Sequence, residues 1–182
     1  MTTNPQVNEA RRVNLGVQVT FNTVRNATEI LVEMMEEVYK KNKGSTDKEI
    51  VERLRSMGRR MASSYASYWI PKREGVEAML ISIYKNVFGS NVTIEEPADR
   101  KTTRKDFPMK KVYDVIDQGC PLCKVKRQTN IAPCEIITGM VEGLFEQMAG
   151  ETPDLKAESV LETRSRGDDR CKHRYVLDRQ ER

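Results

Sequence analysis

Histidine is the scarcest reactive side chain in this sequence: 182 residues contain one, His173. No GxSxG, HExxH, P-loop or GxGxxG pattern occurs, and no triad can be assembled around a lone imidazole, so an enzyme is not the first reading. Apolar residues nowhere approach 18 in a row, which excludes a transmembrane helix. The opening stretch "MTTNPQVNEARRVN" lacks the apolar run of a secretory leader. The chain is therefore expected in a reducing cytoplasm, where thiols persist or bind metals. The Asn-x-Thr triplets at Asn26 and Asn91 are then chance matches to a glycosylation pattern.

What is present fits a globular domain: 38% hydrophobic and 32% charged residues, in a chain long enough for one core and marginal for two. The net charge of +4, from 31 basic and 27 acidic residues, is too mixed to point to nucleic acid. The densest basic cluster, "RKTTRK" at 100–105, has no interleaved aromatic and reads as a solvated loop. The acidic runs at 33–37 and 95–99 read as solvated charge.

Residues 1–15 are polar and aperiodic, a loose tail, and 16–182 read as one domain. Helical spacing begins at Phe21, Val24, Ala27 and Leu31 and continues to Val38. Gly44 breaks it, and Ser45 or Thr46 can cap a second helix that carries Ile50, Leu54, Met57, Met61, Tyr65 and Tyr68 and ends at Pro71. A third helix runs from about Arg73 to Phe88, closed by Gly89. The period then shortens to two: "SNVTIEE" and "FPMKKVYDVID" form one hairpin. A fourth helix spans 135–148, with Gly139-x-x-x-Gly143 permitting close approach of another backbone. "LKAESVLETRS" and "CKHRYVLD" make a second hairpin around "RGDD". The order ααα-ββ-α-ββ, without βαβ alternation, predicts an α+β domain with helices on an antiparallel sheet.

Three of the four cysteines fall in "CPLCKVKRQTNIAPC", residues 120–134. Zinc takes four soft or borderline ligands in a tetrahedron, and a tight loop such as Cys120-Pro-Leu-Cys123 places two cheaply. Cys134 opens the fourth helix, where exposed N–H groups favour a thiolate. Cys171 and His173, two apart on a strand, leave the same face. Five candidates thus compete for four positions: Cys120, Cys123 and Cys134 with either Cys171 or His173. Inert buried thiols and a redox CxxC are the alternatives, the second lacking its βαβ context.

The stretch "APCEIITGMVEGLFEQMAG…AESVLETRSRGDDRC" resembles the 4-vinyl reductase domain family, in which a cysteine opens a long amphipathic helix and a Glu-bearing strand is followed by Gly-Asp and a second cysteine. Here those positions are Cys134, Glu162, Gly167, Asp168 and Cys171. "RLRSMGRRMASSYASYW" is similar to the small Bet/TRAPP vesicle-tethering subunits, which share that fold. The resemblance implies helices on one side of an antiparallel sheet, homodimers through the first helices and a pocket for small apolar or aromatic molecules. It also implies a zinc ion held by cysteines and a Glu, which makes Cys134 and Cys171 ligands and Glu162 a further candidate. Thr163 or Ser165 stands where the pattern has another cysteine, and the CxxC at Cys120 and Cys123 can compensate.

Tyr65, Tyr68 and Trp69, with Met57, Met61, Met79 and Met140 as adaptable neighbours, are the candidates for an apolar ligand pocket; core packing is the competing role for each. The expectation is a non-catalytic domain that binds or senses a small apolar (hydrocarbon or aromatic) ligand, carries zinc and forms a homodimer. The first alternative is a TRAPP-like scaffold, and the second a zinc enzyme acting on a small substrate.

Overall fold

The computed structural model describes residues 32–41, 43–72, 74–95, 97, 111–124, 126, 130–148 and 154–178. The N-terminal tail, Phe21, Val24 and Leu31 of the first predicted helix, and the basic run 100–105 lie outside these. By its internal contacts the chain divides into Met1–Gly44 and Ser45–Arg182. In the first unit, the helix α1 (32–41) closes with π-helical turns over Glu36–Lys41.

The second unit contains α2 (Asp47–Tyr65), α3 (Val76–Phe88), α4 (Glu135–Glu146) and strands β1 (Val92–Glu95), β2 (Lys111–Asp117), β3 (Asp154–Glu162) and β4 (Cys171–Asp178). The α+β class and the order of elements are those the patterning predicts. All pairings are antiparallel and the sheet runs β1-β2-β4-β3, two hairpins joined through β2 and β4.

Local chemistry sets most of the boundaries. Thr46 caps α2: its hydroxyl accepts from the Glu49 N–H while the Glu49 carboxylate accepts from the Thr46 N–H at 2.8 Å, a reciprocal capping box. The helix stops at Tyr65, six residues before Pro71, so Tyr68 and Trp69 lie beyond its end and not on its stripe. The Tyr68 and Trp69 N–H groups both return to the Tyr65 carbonyl, and Ile70, preceding a proline, is steered away from helical backbone. Helix α3 begins at Val76 and ends at Gly89 in the left-handed region, φ +67°.

Helix α4 is the axis of the unit, with Glu135 through Phe145 all buried. One side packs on α2 through glycine. A Cβ at Gly58 of α2 would meet the Met140 backbone N at 2.6 Å, and one at Gly143 would meet Ala62 Cβ and Arg59 Cα at 2.8 Å. Gly139 is closed off in the same way by the Arg55 backbone. The close approach that Gly139 and Gly143 permit is therefore to α2. Two ion pairs fasten the crossing: Arg55 Nε to Glu135 Oε2 at 2.7 Å and Arg59 to Glu142 at 2.8 Å. Both carboxylates are under a tenth exposed, so each needs its arginine to be buried at tolerable cost. Arg55 also donates to the Ala157 and Glu158 carbonyls of β3, which ties α2 to the sheet edge.

Candidate metal centre

Strand alternation on β4 separates two chemistries. Lys172 and Arg174 leave one face, where the buried Asp114 of β2 accepts from Arg174 at 2.6 and 2.7 Å and pairs with Lys172 at 3.2 Å. Burial raises the Asp114 carboxyl, but its hydrogen bonds from Arg174 and Lys172 outweigh that and leave it below the usual range. Cys171, His173 and Tyr175 leave the other face, and all three are fully buried.

The same face receives the Cys120 thiol from the turn after β2, paired with the start of β4 in the register Asp117 to Cys171. Cys134 arrives from the opposite direction. It is the N-cap of α4 yet makes no side-chain capping hydrogen bond, and its sulfur interacts with those of Cys120, Cys123 and Cys171 instead. The sulfurs of Cys120, Cys134 and Cys171 and one imidazole nitrogen of His173 lie within 4.8 Å of one another, every residue buried. Tetrahedral zinc, with bonds of about 2.3 Å to sulfur and about 2.0 Å to nitrogen, holds its donors about 3.5–3.8 Å apart. A small contraction brings this set to that geometry. These four residues could hold a metal ion.

Cys123, the fifth candidate, is not in that mutually close set. It is buried beside the others and receives a hydrogen bond at 3.2 Å from the Thr163 hydroxyl, which also meets Ser165 Oγ at 2.9 Å. Thr163 and Ser165, the positions where the family pattern has a cysteine, thus border the cluster through their hydroxyls. Glu162 points elsewhere: it pairs with Arg170 at 2.8 Å and is matched in register with Lys172, on the strand face opposite Cys171 and His173.

Charge is shared unequally among the sulfurs. Hydrogen bonds from Cys120, then Cys123 and Cys134, hold Cys171 far below an ordinary thiol, and Cys123 is lowered chiefly by Cys120. Cys120 and Cys134 are pushed well up, Cys120 first by Cys123 and Cys134 first by Cys120, with burial adding to both. A dication held by these residues would remove this competition, because it would stabilise every ligating sulfur as thiolate.

The imidazole is held at Nδ1. His173 Nδ1 lies 2.6 Å from the Tyr84 hydroxyl, which lies 2.8 Å from the Tyr175 hydroxyl, and the Tyr84 and His173 rings stack with centroids 5.8 Å apart. His173 Nε2 is buried with no hydrogen-bond partner among the described residues. Asp117 Oδ2 is likewise buried and unpartnered, while Oδ1 accepts from the Gly119 N–H at 2.9 Å. Burial raises the Asp117 carboxyl. Tyr84, Tyr175 and Asp117 are not among the candidates that the sequence patterns offer. The usable signal was chemical: a tyrosine at Tyr84, four residues after Leu80 on a helix turned inward, must find a partner for its hydroxyl.

The candidate pocket residues come from α2, α3, α4 and the segment after α2. Met79 and Met140 are buried in α3 and α4, and Met57, Met61 and Tyr65 lie half-buried along α2. Trp69 meets the Tyr65 ring edge-on at 6.2 Å. Tyr68, 89% exposed, is not enclosed with the rest.

Comparison with known proteins places the fold. The structure is similar to that of a trafficking protein particle complex subunit 3 from Naegleria fowleri, solved covalently bound to palmitic acid. The TM-score is 0.65 and the identity 20%, over 91% of this chain and 99% of that one. At that identity the likeness is one of fold. No family model and no curated protein sequence matches. Among the described residues no helix is long and apolar enough to cross a membrane.

Proposed function

We propose that this chain is a non-catalytic assembly domain, a homodimeric scaffold like the trafficking-complex subunits its fold resembles, locked by one zinc ion on Cys120, Cys134, Cys171 and His173. The observation that carries this reading is the closed donor set. Four protein ligands satisfy tetrahedral zinc, whereas a catalytic site keeps one position for water or substrate. The full burial of all four also argues for a structural ion. Zinc is favoured over a harder metal because three of the donors are sulfur. Four free thiols fit a reducing compartment, which makes the cytoplasm the proposed location.

In this reading the dimer forms through the N-terminal helices, whose apolar positions Phe21, Val24 and Leu31 supply the contact. Light scattering on the purified chain should give about twice the 20.9 kDa chain mass, and Val24→Glu with Leu31→Glu should return it to the monomer. A monomer at all concentrations in the unaltered chain would refute the scaffold.

The palmitic acid on the structural neighbour favours a second reading, in which an apolar chain lies against the methionines Met57, Met61, Met79 and Met140. That ligand would be held without a covalent bond. No cysteine precedes Cys120, and all four thiols are buried in or beside the metal centre. Mass spectrometry after denaturing and native elution separates the cases: a released fatty acid supports this reading, and an adduct on the chain contradicts it.

A further inference from the structure

The geometry points to Tyr84 as the positioning residue of the metal centre, the group that sets the tautomer and aim of its only nitrogen ligand; the inference rests on the metal reading above. His173 has two ring nitrogens and the structure treats them differently. Nδ1 is 2.6 Å from Tyr84 Oη, and Nε2 is buried without a hydrogen-bond partner among the described residues. A buried, unpaired imidazole nitrogen is costly unless something takes its lone pair. Three sulfurs lie within reach of the ring, so a soft cation on Nε2 removes that cost.

For Nε2 to ligate, the proton must sit on Nδ1 and be donated to Tyr84 Oη. Tyr84 then turns its own hydroxyl hydrogen toward Tyr175 Oη, 2.8 Å away. The opposite arrangement, with Tyr84 donating to Nδ1, puts the proton on Nε2 and blocks the metal. Hydrogen bonding at the second nitrogen is how ligating histidines are generally fixed, and its loss typically weakens metal binding by about 10–100-fold. Ring stacking at 5.8 Å and complete burial of both tyrosines leave the imidazole little freedom to choose another orientation. The inference also joins α3, which supplies none of the ligands, to the metal centre.

A cycle of variants tests this. Zinc affinity is measured by competition with a chromophoric chelator for the unaltered chain, Tyr84→Phe, His173→Cys and the double variant, with Co2+ absorption reporting the ligand set. Tyr84→Phe keeps the ring and should weaken Zn2+ by about 10–100-fold, yet cost nothing in the His173→Cys background, where a sulfur ligand has no tautomer to set. Tyr175→Phe, which leaves the Nδ1 contact intact, should cause a smaller loss that vanishes in the same background. It serves as the test if Tyr84→Phe does not fold. Equal losses in both backgrounds would show that Tyr84 only packs, and no loss in either would equally overturn the inference. An unaltered chain that binds neither Zn2+ nor Co2+ would instead sink the metal centre, a separate result.

Discussion

Among single residues, Asp114 carries the clearest electrostatic consequence. Its folded carboxyl titrates below the usual value, so its contribution is complete above the unfolded pKa of about 4 and is lost as pH falls through the lower folded pKa. The unaltered chain should therefore lose stability in acid, while Asp114→Asn should lack that part of the acid dependence. At neutral pH the substitution removes the ion pair between Asp114 and the largely buried Arg174 and should cost about 3 kcal/mol. Urea unfolding at pH 7 and pH 3 checks both statements; equal acid sensitivity in the two proteins would contradict them. At this scale the candidate ligands are legible because thiol and imidazole chemistry is local to the residue. Which four of the five converge is not, since that depends on where a loop carries Cys123 and a strand carries His173. Tyr84 illustrates the same limit: its burial follows from helical spacing, but its partner is 89 residues away.

At the level of elements, the α2–α4 crossing makes an inverted prediction. Alanine inside a helix ordinarily stabilises by roughly 0.5–1 kcal/mol over glycine. Gly139→Ala should instead destabilise, by about 1–3 kcal/mol or more, because its Cβ would meet the Arg55 backbone, which cannot rotate away as a side chain can. A raised melting temperature in that variant would contradict the packing described. The Gly-x-x-x-Gly spacing announced a close approach but could not say to what. The partner, Gly58, sits in "RSMGRR", a stretch whose pattern alone gives no reason to call it a helix contact. The helix ends read well where a cap is chemical, as at Thr46 and Gly89. They read poorly at Tyr65, because a chain can leave the helix several residues before the proline that forbids it. The candidate centre also joins elements, since its four residues come from the turn after β2, the start of α4 and the start of β4. Zinc should accordingly slow amide exchange at Cys120–Cys123, Glu135–Thr138 and Cys171–His173 together. Protection confined to one of these segments would mean the ligands do not act as a unit.

For the whole molecule, an ordinary-sized core, two hairpins and a central helix would hold together by burial alone in outline. What burial does not explain is why three thiols and the only imidazole converge at one buried point, with no partner among the described residues to satisfy Nε2. The proposed structural ion would explain both. The most direct test is elemental analysis of protein purified without added metal, paired with Cys134→Ser and thermal unfolding. The account predicts about one zinc per chain, lost together with several degrees of thermal stability in the variant. A metal-free chain whose melting temperature is unmoved by Cys134→Ser would contradict it.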